Sequence, residues 1–189
     1  MSWAEHYKKW SDCDRCSLSE SRCKVAVGKG SIPADVLFVG EAPSYGDDSI
    51  GIPFIGPSGK LLDEMIAVAK KHTQPMEWDY ALTNLLGCIP KDEEGRKVHN
   101  PSKYAREVIK DCSPRLREFF DLVQPKLVFW VGKDSEKLGP RALGKERMSE
   151  VGVVSIMHPA AILQMHIAQR GLAFQRNWVN IRDGVMQWL

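Results

Sequence analysis

The sequence predicts an α/β fold in which a mostly parallel sheet is covered by helices on both faces. Short apolar runs, rich in β-branched and aromatic residues, alternate with longer stretches of helical periodicity. The first run, 34–40, leads into Gly40-Glu41-Ala42-Pro43, which ends a buried strand abruptly. Because a chain of 189 residues is within the usual size of one domain, we expect a single compact domain over 1–189.

Each predicted element rests on a local pattern. An amphipathic segment at 3–10 precedes the first cysteines, and apolar residues at helical spacing from Leu61 to Ala69 indicate a helix at 57–72. Pro125 closes the long second helix before the third strand. The predicted strands are 34–40, 79–88, 126–132 and 151–157, and the predicted helices are 57–72, 102–123, 133–143 and 159–188. The polar stretch 91–101 is predicted to be an exposed loop, and ordered loops of that length are often functional.

The composition favours an intracellular protein without a membrane span. The net charge is only +2, so any basic surface that binds a polyanion must be local. Hydrophobic residues make up 43% of the chain, yet no apolar run approaches the length of about 18 residues that a membrane helix needs. The chain does not open with the pattern of a secretory leader. We therefore expect a cytoplasmic location.

Five cysteines in a protein expected inside the cell argue against a disulfide scaffold and raise the prospect of a metal or cluster site. Cys13 and Cys16 form a close doublet, while Cys88 and Cys112 stand far along the chain. Zinc sites of four thiolates more often have two doublets, whereas iron–sulfur clusters accept scattered ligands. A thiol-redox motif would need its doublet between a strand and a helix. The alternative that Cys88 and Cys112 are buried apolar residues stays open, and Cys23 has no predicted role.

Four residues from separate parts of the chain fall at strand ends or in the loops that follow them. Glu41 follows the first strand, at the end where open α/β sheets bind ligands. Phe54 lies in a loop held by glycines and a proline, Asn84 is a polar side chain in an apolar strand, and His158 ends the last strand. Each alone has an ordinary structural explanation, such as a cap, a salt bridge or a core plug. Their shared location predicts a pocket for a flat ligand.

Several separated motifs also stand in a familiar order. They are Gly40-Glu41-Ala42-Pro43, Gly51-x-Pro53-Phe54-x-Gly56-x-x-Gly59-Lys60-Leu61-Leu62, Thr83-Asn84 before a cysteine, and His158-Pro159-Ala160-Ala161-Ile162-Leu163. This order resembles that of the iron–sulfur uracil-DNA glycosylases, often called family 4. The order of the cysteines is similar to that of the family's four cluster ligands. The resemblance extends from the first cysteine to the last helix, which is almost the whole chain.

The resemblance implies a three-layer α/β/α sandwich with a four-stranded parallel core sheet, preceded by a segment, 1–33, that contributes cluster ligands. It implies an enzyme that removes uracil from single- or double-stranded DNA. We expect this protein to be a monomer and to be associated with the nucleoid rather than with a membrane. It also implies a [4Fe-4S] cluster with a structural role. The implied cluster ligands are Cys13, Cys16, Cys88 and Cys112.

The implied chemistry gives each pocket residue a role. Phe54 stacks on the base that is turned out of the duplex, while the Asn84 carboxamide donates to uracil O4 and accepts from N3–H, a pattern that cytosine reverses. Neutral His158 donates to O2 of the departing base. Glu41 orients or deprotonates the attacking water and stabilises the cationic sugar. Backbone amides of the turn at Glu41 and Ala42 also hold the base.

Two features depart from the family pattern. Ser44 stands where the family usually has glycine, so the pocket wall beside C5 of the base, and discrimination against thymine, are expected to differ. The stretch between Cys88 and Cys112 is longer than usual and contains Gly95-Arg96-Lys97-Val98-His99. That run is similar to the loop of a superfamily branch that bonds covalently to the abasic sugar, with His99 as nucleophile. The simpler interpretation is that His99 is an exposed loop residue.

The remaining predicted contacts are with DNA. The stretch 160–170 is expected to approach the minor groove, and the residues expected near phosphates are Arg96, Lys97, Gln164 and Arg170. Two other classes of function stay open. One is a non-catalytic DNA- or partner-binding protein that keeps the fold and the cluster, and the other is a zinc or thiol-redox protein in which Cys13 and Cys16 are the functional pair.

Overall fold

The computed structural model describes residues 1–92, 94–98 and 105–189. Its five strands form one mixed sheet in the order β1-β3-β2-β4-β5. The strands are β1 (Lys29–Gly30), β2 (Val36–Gly40), β3 (Tyr80–Asn84), β4 (Leu127–Val131) and β5 (Gly152–Ile156). The helices are α1 (Trp3–Trp10), α2 (Tyr45–Ile50), α3 (Pro57–His72), α4 (Ala105–Val123), α5 (Lys133–Leu143), α6 (Lys145–Ser149), α7 (Pro159–Gln164) and α8 (Ile167–Trp188). Strand β1 is antiparallel to β3, and the other neighbouring strands in the sheet are parallel.

Helices cover both faces of the sheet because side chains alternate along each strand. On one face, Phe38 and Phe129 stack with ring centroids 4.8 Å apart and belong to one apolar cluster with Ile181 of α8. The opposite face carries Trp130, which clusters with Phe119 of α4. Every residue of β2 and β4 is buried, which explains why these strands are continuous apolar runs rather than alternating patterns.

The sequence predicts a strand at 79–88, but β3 ends at Asn84. The prediction is therefore wrong for residues 85–88. Leu85 N–H donates to the carbonyl of Gly40 at 2.8 Å and Leu86 N–H to that of Glu41 at 3.0 Å, but β2 itself ends at Gly40 and no strand is assigned beyond it. Residues 85–88 are nonetheless buried. A buried apolar run therefore resembles a longer strand even where its pairing partner has already ended.

The helix predicted at 159–188 is two helices, because the chain turns at Met165 and His166 before α8 begins. The structure also adds β1, α2 and α6 to the predicted elements. The helices predicted at 57–72 and 133–143 are confirmed as α3 and α5. Between α1 and β1 the chain has little regular structure, with one 3-10 turn at Ser17–Ser19. No helix within the described ranges combines the length and apolar character needed to cross a bilayer.

Candidate active site and cysteine cavity

The carboxyl ends of the parallel strands bring the predicted pocket residues to one edge of the sheet. Gly40, at the end of β2, lies opposite Asn84 at the end of β3. On the other side of β2, strands β4 and β5 are paired in register, so their ends lie at the same level. Glu41 follows β2 directly, and His158 follows β5 by two residues. The predicted convergence of separate strand ends therefore occurs at this edge.

Phe54 and Asn84 meet beside Gly40. A β-carbon placed on Gly40 would lie 2.4 Å from Oδ1 of Asn84 and 2.6 Å from Cζ of Phe54. Both side chains are buried, with 5% of Phe54 and 2% of Asn84 exposed. An aromatic ring and a carboxamide, which can stack on and hydrogen-bond a planar base, thus lie side by side one residue before Glu41.

The loop that carries Phe54 is held in place by backbone contacts and by Asp47. Phe54 has a φ of 56°, a left-handed conformation that residues other than glycine rarely adopt. A β-carbon on Gly59 would lie 2.0 Å from the carbonyl oxygen of Phe54, so only glycine lets α3 approach this loop so closely. The buried Asp47 carboxylate accepts from the N–H groups of Ile55 and Ser44, each at 2.9 Å. Asp47 therefore joins this loop to the turn that follows β2.

His158 is held as a neutral hydrogen-bond donor at the start of α7. Its Nδ1 accepts from the N–H of Ala160 at 3.1 Å, so the proton of the neutral ring lies on Nε2. Burial lowers the pKa of His158 to about 4, and the positive charge of Lys97 lowers it as well. Gly132, at the end of β4, makes room for the ring, because a β-carbon there would lie 3.0 Å from His158 Cβ.

Glu41 is half-buried among charged groups. Burial raises the pKa of Glu41, the carboxylate of Asp134 raises it further, and the ammonium group of Lys97 lowers it. Burial in turn lowers the pKa of Lys97, while Glu41 and Asp47 raise it. Lys97 Nζ donates to the carbonyl of Pro43 at 2.9 Å. A lysine thus lies within electrostatic range of both the carboxylate and the imidazole of the predicted pocket.

The described part of the predicted loop, residues 91–92 and 94–98, folds as a small hairpin over the turn that follows β2. Lys91 and Lys97 form an antiparallel bridge, and Val98 N–H donates to the carbonyl of Pro90 at 2.9 Å. Tyr45 attaches the hairpin to α2, because its hydroxyl accepts from the backbone N–H of Lys97. Lys97 and Val98 of the hairpin are therefore half-buried near the pocket, while its tip at 94–96 is exposed.

The residues predicted to contact phosphates have different environments. Arg96 is exposed and paired with two neighbouring carboxylates, and Gln164 and Arg170 are exposed near the junction of α7 and α8. Lys97 is half-buried beside Glu41 instead. The phosphate contacts of all four stay predictions. His99 lies outside the described residues.

Ala42 and Ser44 shape the turn after Glu41. Ser44 is the N-cap of α2, and its hydroxyl accepts from Asp47 N–H at 3.3 Å. Ala42 packs against the apolar cluster that contains Cys88. The turn therefore separates the predicted pocket from the cysteines.

The four predicted cluster ligands line one cavity. Arg115 and Gly87 line the same cavity, and the N–H of Gly87 donates to Sγ of Cys112 at 3.3 Å. Cys23 is exposed and is not among the lining residues. The lining cysteines are Cys13, Cys16, Cys88 and Cys112.

Four thiols can hold either one metal ion or a cluster, and the two require different spacings of the sulfur atoms. Within the described part of the chain, no three His, Cys, Asp or Glu side chains converge closely enough to hold one metal ion. Four sulfurs around one zinc lie about 3.8 Å apart, given the usual Zn–S bond length and tetrahedral angles. A [4Fe-4S] cluster places its thiolates on separate irons and so holds them further apart.

The charges around the cavity fit an anionic cluster. Burial raises the pKa of the Cys88 thiol to about 12, and Cys112 and Cys16 raise it too. Arg22 and Arg115 oppose that rise. The Nε atoms of both arginines are buried and have no hydrogen-bond partner among the described residues. The sulfur atoms of a cluster and of its thiolates accept hydrogen bonds from N–H groups, and these unpaired donors are suited to that role.

Sequence reasoning missed three polar residues near these sites. Asp47 had a usable signal, since Ser44-x-x-Asp47 is a capping-box pattern at the start of α2. Arg115 interrupts the apolar stripe of α4, and a buried basic residue at such a position indicates a hydrogen-bonding or anionic partner inside the protein. Asp134 had no local signal, because its proximity to Glu41 arises from the pairing of β2 with β4.

Comparisons with known proteins identify the family of this chain. The family model of the uracil DNA glycosylase superfamily matches residues 27–182. A type-4 uracil-DNA glycosylase of Sulfurisphaera tokodaii is 31% identical over 80% of this chain and 71% of its own length, and that of Archaeoglobus fulgidus is 29% identical over 80% and 78%. A crystal structure of Pedobacter heparinus SMUG2 shares the fold, with a TM-score of 0.55 and 15% identity over 79% of this chain and 75% of that one. This chain therefore belongs to the uracil-DNA glycosylase superfamily.

Proposed function

We propose that this protein removes uracil from DNA by hydrolysing the N-glycosidic bond, which leaves an abasic site. The observation that carries the proposal is the convergence of the Phe54 ring and the Asn84 carboxamide beside Gly40. An enzyme that acts on a base must take it out of the stack, and such a base needs a stacking surface and a hydrogen-bonding edge. The similarity to type-4 uracil-DNA glycosylases supports the same activity.

Phe54 and Asn84 would recognise the everted base. Stacking on an aromatic ring is worth roughly 1–3 kcal/mol per base but does not distinguish pyrimidines. The carboxamide of Asn84 supplies the distinction, because uracil offers an acceptor at O4 and a donor at N3, whereas cytosine offers the reverse. The left-handed backbone at Phe54 and the bonds from Asp47 would hold the ring in position before the base arrives.

His158 and Glu41 would stabilise the two charges that form when the bond breaks. The Nε2–H of neutral His158 would donate to O2 of the uracil anion, and its lowered pKa keeps the ring neutral at physiological pH. The carboxylate of Glu41 would orient or deprotonate water and stabilise the cationic sugar. Since burial raises the pKa of Glu41, activity should fall on the acid side as this carboxylate is protonated.

Lys97 would act in the pocket rather than only at a phosphate. Its charge favours the ionised form of Glu41 and the neutral form of His158, the two states that the mechanism needs. The same charge would favour the anionic leaving base. Ser44, as a helix cap beside the turn, would form part of the wall near C5 of the base, and backbone amides at Glu41 and Ala42 would hold it.

The four cysteines would hold a [4Fe-4S] cluster with a structural role. When bound, the cluster would join the N-terminal segment to the loop after β3 and to α4 across the cavity that these cysteines line. The proposed fold core is the parallel set β3-β2-β4-β5, with β1 as an antiparallel addition at one edge. Uracil-containing DNA is the proposed partner of a monomeric, nucleoid-associated protein.

Release of free uracil from a defined oligonucleotide tests the proposed activity. Wild type should release uracil, while Glu41→Ala and Asn84→Ala should lose most of this activity and keep the fold. Glu77→Ala is a matched control, because Glu77 is exposed in the loop before β3, at the opposite edge of the sheet. Because DNA contacts are salt-sensitive, the assay should cover several salt concentrations. Absence of release at every salt concentration would refute the proposal and leave a non-catalytic DNA-binding role.

Covalent trapping of the abasic sugar is a second candidate, favoured by the position of the hairpin. The hairpin packs on the turn after β2 and places Lys97 beside Glu41, and His99 follows two residues later in the sequence. An adduct with uracil-containing single-stranded DNA that survives denaturing electrophoresis and is lost in His99→Ala would establish trapping. Multiple turnovers with free abasic product would exclude it.

A further inference from the structure

Arg115 occupies an unusual position between the cysteine cavity and the end of β3. It lies on α4, three residues after Cys112, and only 1% of it is exposed. Its two terminal nitrogens donate to four oxygens, three of them backbone carbonyls. The acceptors are the carbonyl of Val27 at 2.8 Å, Oγ1 of Thr83 at 3.0 Å, the carbonyl of Leu85 at 3.2 Å and the carbonyl of Asn84.

The third nitrogen of the guanidinium group has no partner among the described residues. Arg115 Nε is buried and unpaired, and it would lie 3.0 Å from a β-carbon placed on Gly87, another lining residue of the cavity. The described residues also give Arg115 no carboxylate partner, as none of the ion pairs found there includes it. A buried charge without a counter-ion is costly, so an anion is expected beside it.

A cluster in the neighbouring cavity would supply that anion. Four thiolates and four sulfides outweigh the charge of the irons, so the cluster is negatively charged, and its sulfurs accept N–H hydrogen bonds. Gly87 allows the close approach, because any larger residue there would collide with Arg115 and Val25. The backbone N–H of Gly87 already donates to Cys112 Sγ, which shows that donors from this loop reach the thiols.

We propose that Arg115 is a positioning residue that links the cluster to uracil recognition, binding a cluster sulfur through Nε–H while one of its terminal nitrogens, Nη2, holds the backbone carbonyl of Asn84. This inference rests on the proposed function, because Asn84 is the residue that would read the base. Since the same planar group makes both sets of bonds, displacement of one set moves the other. The cluster would thus help to fix the angle at which the Asn84 carboxamide meets the base.

The cluster side of this link is tested by chelation of the iron-loaded protein. The loss of absorbance near 400 nm after addition of a chelator gives a rate for wild type, Arg115→Lys and Arg115→Gln. Both variants should lose the cluster roughly tenfold faster or more, as removal of ligand-orienting contacts usually costs this much. Arg117→Lys and Arg117→Gln are the matched controls, because Arg117 lies two residues further on α4 and donates to the carbonyl of Ala142, away from the cysteines.

The recognition side is tested by binding to two oligonucleotides. One carries a 2′-fluorinated deoxyuridine that resists cleavage, and the other carries a tetrahydrofuran abasic analogue. Arg115→Lys should weaken binding of the fluorinated deoxyuridine DNA several-fold and leave binding of the abasic DNA unchanged. In the uracil-release assay, the same variant should show a higher KM and little change in kcat. A variant that merely unfolds would weaken both, and Arg117→Lys should weaken neither.

The inference requires both effects, and the absence of either would overturn it. If Arg115 variants lose the cluster no faster than Arg117 variants, the cluster contact is wrong. If uracil and abasic DNA respond alike in an Arg115→Lys protein whose thermal unfolding matches that of Arg117→Lys, the link to Asn84 is wrong. Failure of the proposed function is a separate result, since wild type would then release no uracil while the chelation experiment still tests the contact between Arg115 and the cluster.

Discussion

Gly40→Ala is the sharpest test of the pocket, because one methyl group would meet both residues that are proposed to recognise the base. Its β-carbon would lie 2.4 Å from Asn84 Oδ1 and 2.6 Å from Phe54 Cζ, whereas ordinary contacts begin at 3.4 Å. The larger shortfall is 3.4 − 2.4 = 1.0 Å. Gly40 is not in the left-handed region, so alanine adds no backbone strain, and the effect is confined to these side chains.

Neither neighbour can move away at low cost. Both are buried, and the backbone of Phe54 is held by its close contact with α3. Overpacking of this kind typically costs about 1–3 kcal/mol. If the displaced ring or carboxamide no longer meets the base, a similar energy of recognition is lost, which corresponds to a fall in kcat/KM of roughly 10- to 100-fold.

Single-turnover release of uracil, combined with thermal unfolding, separates the two effects of Gly40→Ala. Gly46→Ala is the matched control, because the nearest atom to its β-carbon would be Ser44 Oγ at 3.8 Å, an ordinary contact. The control should release uracil like wild type. A folded Gly40→Ala protein with the kcat/KM of wild type would refute the placement of the base against Phe54 and Asn84.

Three further substitutions test other parts of the pocket. In the wild type the ammonium group of Lys97 lowers the pKa of Glu41, so Lys97→Gln should raise this pKa and move the acid limb of the kcat/KM profile to higher pH. An acid limb at the same or a lower pH would contradict this. Asp47→Asn should lower the free energy of unfolding by about 1–3 kcal/mol in chemical denaturation, since one of two half-buried N–H groups loses its acceptor; unchanged stability would contradict it. Asn84→Asp should reduce the preference for uracil over cytosine by roughly 100-fold in paired excision assays, because a carboxylate only accepts; an unchanged ratio would show that another group reads the base.

Local patterns in the sequence were enough to predict the main elements of the fold. The helix at 57–72 follows from apolar spacing and from proline at its first turn, and both signals act within the helix itself. The end of β3 at Asn84 could not be predicted, because it depends on where β2 stops. The break at Met165 and His166 also has no strong signal, since neither glycine nor proline stands there.

The candidate site shows the same division. Residues directly after strands, such as Glu41, could be assigned to one sheet edge because parallel strands end together. The proximity of Lys97 and Asp134 to that carboxylate depends on the folded hairpin and on the strand order. The sequence therefore indicates which side chains reach the edge, while the charges that tune them depend on long-range contacts.

The sparse regular structure between α1 and β1 has a practical consequence for handling the protein. Apart from the turn at Ser17–Ser19, this segment is held at Leu18, Val25 and Val27 by an apolar cluster, and between Leu18 and Val25 by polar contacts such as that of Cys23 N–H with the buried Asp48 at 3.0 Å. Arg15 and Lys24 are exposed within it. Trypsin cleaves after such residues when the backbone can open locally, so if the proposed cluster ties the segment down, digestion should be slow with the cluster bound and fast after its removal. A short protease treatment would then report how many molecules in a preparation are iron-loaded, without any substrate.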